Sequence, residues 1–280
     1  MPGPRKLDPS SSPRALLGAE LRHRREEAGL SQSDLGAPLF LSGSFVGQLE
    51  SGVRRMQMDQ AEKFDEILGA DGFFVRNCAA QKESKYPEHF AEAAEAEARA
   101  ETIREYAPQL IPGLLQTEAY ARAVFRGGLP TATDRAIDEL VATRLERAQL
   151  LTDPTVPVFW MVLDESVLRR KVGGPEAMAE VLRHITRLAR QHRIIAQVLP
   201  FSEGAHMALE GSIKLMSFPD APPLAYLQGL GTGQLQDDPA TVRRYELTYD
   251  LLVASAISPA ASLALIESVA EEYDHETQQF

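Results

Sequence analysis

The 280-residue chain has one cysteine, Cys78, and six histidines. A solitary thiol cannot form an intramolecular disulfide or a multi-thiolate metal site, and it suits a reducing compartment. The histidines show no metal-ligand spacing among themselves, with Cys78 or with a carboxylate pair. Long apolar runs are missing too: the stretch Val156 to Leu163 contains a proline and falls far short of a membrane span. The N-terminal "MPGPRKLDPSSSPR" has no apolar segment after its charges, so it does not resemble an export signal. These absences predict a cytoplasmic protein with no membrane segment, no metal and no cofactor.

Positive charge is scarce. The chain carries 29 Lys and Arg against 40 Asp and Glu, a formal net charge of -11. The deficit is uneven: residues 1–55 hold eight basic and six acidic side chains, whereas residues 56–280 hold 21 and 34. An acidic body repels a polyanion, so recognition of nucleic acid would have to rest on a small basic surface near the N-terminus.

What is present begins after a Pro-, Ser- and Gly-rich tail over residues 1–14, expected to be disordered. Leu17, Leu21 and Ala28 then recur at helical spacing, and Gly29 ends that helix. In "SQSD", Ser31 is placed to cap a second helix with Asp34 three residues on, a capping-box arrangement. Leu35 and Leu39 supply its apolar side. Ser42 is placed to cap a third helix that turns Val46 and Leu49 inward, and Gly52 can end it at positive φ. A helix from about Asp59 to Leu68 would bury Ala61, Phe64 and Leu68. Residues 15–75 thus form a predicted helical domain, and residues 76–89 a polar linker.

From residue 90 to 275 the pattern predicts an α+β domain with one small sheet covered by helices. "EHFAEAAEAEARAETIREYA" suggests one long helix, followed by a proline-marked turn and a helix carrying Tyr120 and Val124. Another spans about Asp134 to Leu151. Strands are expected in "VPVFWMVLD", "RIIAQVLPF", "GSIKLMSFP" and "PLAYLQG", with a helix Pro175 to Gln191 between the first two. Two helices close the chain, about Pro239 to Ala256 and Pro259 to Glu272, the first capped by Asp238.

Residues 15–70 have the order of a helix-turn-helix, in which a second helix braces the third as its N-terminus enters the major groove. The run "LGAELRHRREEAGLSQSDLGAPLFLSGSFVGQLESGVRR" resembles the Xre, or phage-repressor-like, helix-turn-helix family. The resemblance implies DNA contacts from Gln32 at the start of helix two and from Ser42, Gly43, Ser44 and Phe45 at the start of helix three. It further implies a base contact from Gln48 and phosphate contacts from Arg54 and Arg55. Gly43 would let the backbone approach DNA, Ser44 and Gln48 would hydrogen-bond base edges, and Phe45 could meet a thymine methyl. Such sparse readout favours a homodimer on two half-sites of double-stranded DNA. Gly36, Pro38 and Phe40 depart from the family pattern and predict a distorted turn.

Further on, "IPGLLQTEAYARAVF", "LDESVLRRKVGGPEAM", "QVLPFSEGAH" and "SPAASLALIESVAEE" resemble the C-terminal domain of WhiJ-like regulators of actinobacteria. That resemblance implies a regulator of development or secondary metabolism, working with a small protein encoded by a neighbouring gene, and supplies no catalytic residues. The residues agree in giving no enzyme: "GLGTG" suits a strand connection better than a dinucleotide site, and "FSEGAH" lacks a nucleophile elbow. "HETQQ" has no second histidine, and Phe159 and Trp160 belong to a core strand. Arg183, Arg187 and Arg190 form a stripe on one helix, either an anion or acidic-partner site or a solvated face paired with nearby carboxylates. The expectation is a sequence-specific transcriptional regulator. Two other classes stay open: a DNA-tethered enzyme or toxin-like effector, and an interaction module that has lost DNA binding.

Overall fold

The computed structural model describes residues 9, 13–78, 86–153 and 156–278. Most of the expected tail and linker therefore lies outside the described residues. The first helix, α1 (Pro13–Glu27), begins two residues inside the expected tail. It is followed by α2 (Gln32–Gly36), α3 (Gly43–Glu50), α4 (Met58–Leu68) and α5 (Phe73–Cys78). Their core gathers Leu17, Leu21, Leu35, Val46, Leu49, Phe64 and Phe74, with Phe64 and Phe74 edge to face at 6.3 Å. Gly69 closes α4 in the left-handed conformation at φ 58°.

The long helix expected from residue 88 does not form. Helix α6 (Glu88–Glu97) stops there, and strand β1 (Thr102–Ala107) takes the rest of the segment. At the break, Arg99 donates to the carbonyls of Ser51 at 2.6 Å and Gly52 at 2.7 Å, holding the backbone out of helix. Ile103 and Tyr106 are then buried in the sheet. An Ala- and Glu-rich helix runs straight into a β-branched and aromatic segment, and tertiary burial decides where one ends.

The remaining elements are α7 (Glu118–Gly128), α8 (Asp134–Ala148), β2 (Val158–Asp164), α9 (Glu165–Arg169), α10 (Pro175–Arg190) and β3 (Ile194–Leu199). Then come β4 (Ser212–Ser217), β5 (Leu224–Gly229), β6 (Thr232–Gln236), α11 (Pro239–Ser255) and α12 (Pro259–Thr277). The strands form one mixed, six-stranded sheet in the order β3-β2-β1-β4-β5-β6, larger than the small sheet expected. β1, β2 and β3 are parallel, with Thr102 opposite Val158 and Phe159 opposite Ile194. "GLGTG" supplies the β5–β6 turn at Leu230 and Gly231. Gly233 follows on β6, where a Cβ would fall 2.0 Å from the Tyr226 hydroxyl oxygen.

The chain divides into two compact units. One comprises residues 1–101, 216–226 and 230–244, so the N-terminal helices belong with α6 and β6. Arg14 pairs with Glu95 at 2.8 Å there, and Phe90 meets Tyr226 edge to face. The other comprises residues 102–215, 227–229 and 245–280. Two of its buried phenols are engaged by the backbone: Tyr249 donates to the Trp160 carbonyl at 2.8 Å, and Tyr273 to that of Leu168 at 2.9 Å. Burial raises the pKa of both phenols. Tyr106, Asp164 and His206 also converge in this unit, the phenol oxygen lying 3.4 Å from the carboxylate and 3.2 Å from the imidazole. Among the described residues no single helix is long and apolar enough to cross a membrane; α11 and α12 together reach that length but are bent by 71°.

Candidate nucleic-acid interface

The interface starts from two capped helices. Ser31 and Asp34 form the expected box, the serine oxygen accepting from the Asp34 amide at 3.1 Å and the carboxylate accepting from the Ser31 amide at 3.0 Å. The Ser31 hydroxyl also donates to the Asp34 carboxylate at 2.6 Å, and that bond, then the one from the Ser31 amide, holds the carboxyl below its ordinary pKa. Ser42 caps α3 by accepting from the Phe45 amide at 3.0 Å. Between the helices, Ala37–Leu39 tightens into a 3-10 turn around Pro38, and Phe40 takes a left-handed conformation at φ 57°. The expected distortion is thus localised. Gly36 serves it directly, because a Cβ there would meet the Leu41 carbonyl oxygen at 2.5 Å.

The glycines of α3 serve packing between helices. A Cβ on Gly43 would fall 2.6 Å from the Ser33 hydroxyl, so its bare face is turned to α2 and not to an approaching ligand, a correction to the sequence reading. A Cβ on Gly47 would meet the Gln32 amide at 3.2 Å. Gln32, in turn, donates to Glu50 at 2.8 Å. The Glu50 carboxylate has 0 % exposure and also takes the guanidinium of Arg25, with Arg22 3.5 Å away. The hydrogen bond to Glu50 raises the Arg25 pKa, outweighing burial. This network locks α1, α2 and α3 together.

On the other side of α3 the expected contacts are not free. Gln48, expected to offer its amide to a base edge, has 0 % exposure, and neither amide atom has a hydrogen-bond partner among the described residues. The Ser44 hydroxyl is likewise buried and unpartnered among them. Arg54, expected on phosphate, is 9 % exposed: it pairs with Glu92 at 3.0 Å and Asp237 at 3.4 Å, and its guanidinium carbon lies 4.1 Å from the Phe45 ring centroid. Asp237 also accepts from the Ser42 hydroxyl at 3.1 Å. Arg55 is half-buried and makes no ion pair among the described residues. Glu92 and Asp237 were invisible to sequence reasoning, since no spacing rule ties α6 or the end of β6 to Arg54.

The arginine stripe of α10 is divided. Arg183 pairs with Asp274 and Arg190 with Glu267, both on α12, which favours the paired-face alternative for these two. Arg187 instead donates to the His184 imidazole at 2.6 Å. Burial, then the Arg187 charge, lowers the His184 pKa.

A capped α2 bracing a capped α3 defines the helix-turn-helix class of DNA-binding regulators, and residues 16–72 match the helix-turn-helix domain family. Residues 90–268, more than half of the chain, match the family described as a domain of unknown function, DUF5753, and the chain belongs to that family. No curated protein matches the chain, and no solved structure does.

Proposed function

We propose that this regulator binds specific DNA sequences as a homodimer, with α3 in the major groove of each half-site. The observation that carries it is the α2–α3 pair itself: two serine-capped helices fitted through Gly43 and Gly47 and fastened by Glu50. A helix start of this kind offers free backbone N–H groups to phosphate while its first side chains meet bases. Ser42, Ser44, Phe45 and Gln48 are the groove-facing set, Gln32 flanks them, and Arg54 and Arg55 contribute phosphate contacts.

Residues 90–275 act by binding and not by catalysis, and their occupant tunes operator affinity. The likeness of their motifs to WhiJ-like regulators supports a small protein from a neighbouring gene as that occupant, in the cytoplasm of an actinobacterium. It also supports control of development or secondary metabolism. Selection of duplexes from a random library by the full chain tests the core of this reading. Recovery of a two-fold symmetric site with half-sites about one helical turn apart is expected. Recovery of no enriched sequence at low salt overturns it.

A further inference from the structure

The donors that the helix-turn-helix would offer to a DNA phosphate already hold anionic oxygens from the same chain. Ser42 and Arg54 share the Asp237 carboxylate, Arg54 also takes Glu92, and Gln57 donates to Glu92 at 3.3 Å. A carboxylate and a phosphate oxygen make the same demand of a hydroxyl and a guanidinium. With Arg54 only 9 % exposed and stacked on Phe45, the site has no room for both.

The same helix holds polar groups that are buried without hydrogen-bond partners among the described residues. Ser44 and Gln48 stand one turn apart on the side of α3 away from Val46 and Leu49, the side a groove would receive. Among the described residues the Ser44 hydroxyl and both Gln48 amide atoms are buried without a partner. Orphaned groups of this kind make a closed state costly, and they regain partners once water or DNA reaches them. Two ion pairs hold the contact shut, and because their carboxylates are part-exposed, water and salt can compete for them. The closed state is therefore poised to open.

We infer that Glu92 and Asp237 form an intramolecular latch that competes with DNA for Ser42 and Arg54, so that DNA binds only when α6 and the end of β6 release α3. The inference rests on the DNA-binding reading above. Salt weakens the latch while opposing DNA binding, so the wild-type salt dependence is shallower than that of a chain with no latch.

The experiment compares full-length wild type with the double variant Glu92→Gln, Asp237→Asn on the selected duplex and on a random-sequence duplex over a salt series. The variant is expected to bind both about tenfold more tightly, with a steeper salt slope. Equal affinity and slope overturn the latch while leaving DNA binding intact. Absence of binding by either protein overturns the DNA reading and the latch with it. A second measurement needs no variant and decides if the double variant does not fold: hydrogen exchange of wild type with and without the selected duplex. DNA is expected to slow exchange in residues 43–50 and to speed it in residues 88–97 and 232–236. Unchanged or slower exchange in the latter two segments overturns the latch.

Discussion

Glu50 and Arg25 form a charge pair across 25 residues of sequence in which the carboxylate has no exposed surface at all. Removing Glu50 leaves Arg25 desolvated with only the Leu30 carbonyl at 2.9 Å and the exposed Glu26 carboxylate at 3.4 Å, and breaking a buried pair in this way costs more than the pair itself contributes. Glu50→Ala should therefore destabilise the helix-turn-helix by about 3 to 5 kcal/mol. Urea unfolding followed by circular dichroism measures it. A loss within a few tenths of a kcal/mol would show that water reaches Arg25 and Gln32 in solution.

Phe40 makes the opposite prediction. Its backbone sits at φ 57°, where a side chain is penalised, and its ring is 99 % exposed, so packing returns almost nothing. Phe40→Gly should stabilise the domain by about 1 kcal/mol, the left-handed penalty exceeding the entropy that glycine adds to the unfolded chain. A lowered urea midpoint would mean that the ring packs on something in solution.

Gln48 separates stability from recognition. Its buried amide finds no partner, so replacement by an apolar side chain of similar length removes a desolvation penalty. Gln48→Met is expected to raise stability by about 1 kcal/mol and to erase base preference at one position of each half-site. Stability and selected sequence are measured on the same preparation. Unaltered base preference would take Gln48 out of the recognition set.

His184 gives a pH dependence of definite sign. Burial and Arg187 hold its folded pKa below the ordinary 6.5, so the unfolded chain takes up a proton that the folded chain refuses. Its contribution is fully present above pH 6.5 and is lost as pH falls through the lowered folded value. His184→Gln should flatten that part of the acid-side decline in unfolding free energy. Superimposable pH profiles for wild type and variant would show that the imidazole is solvated.

The parts of this fold that local chemistry dictates were legible in the sequence. Ser31 and Ser42 announce their helix starts, Gly29 and Gly52 their helix ends at positive φ, and Asp238 caps α11 by accepting from the Thr241 amide at 2.8 Å. What failed depended on partners distant in sequence. Nothing near residue 98 announces that Arg99 will seize the carbonyls of Ser51 and Gly52, so β1 was hidden inside an apparent helix. Gly43 is conspicuous in the sequence, but its use is not legible there, because a missing side chain does not say which neighbour needs the space. Arg54 carries the right residue type for DNA, while the carboxylates that hold it come from elsewhere in the chain.

The compact unit that contains the helix-turn-helix is assembled from three separate stretches ending at residue 244, and its Asp237 follows Arg54 by 183 positions. At usual elongation rates a ribosome needs roughly 10 to 40 s to cover that distance. Through most of that interval the nascent chain carries Glu92 but not Asp237, so only half of the proposed latch has been synthesised. If the latch operates, birth order sets its default: the chain emerges with Glu92 alone on Arg54 and acquires Asp237 late, and a transcript cut short before residue 237 encodes a protein with half a latch.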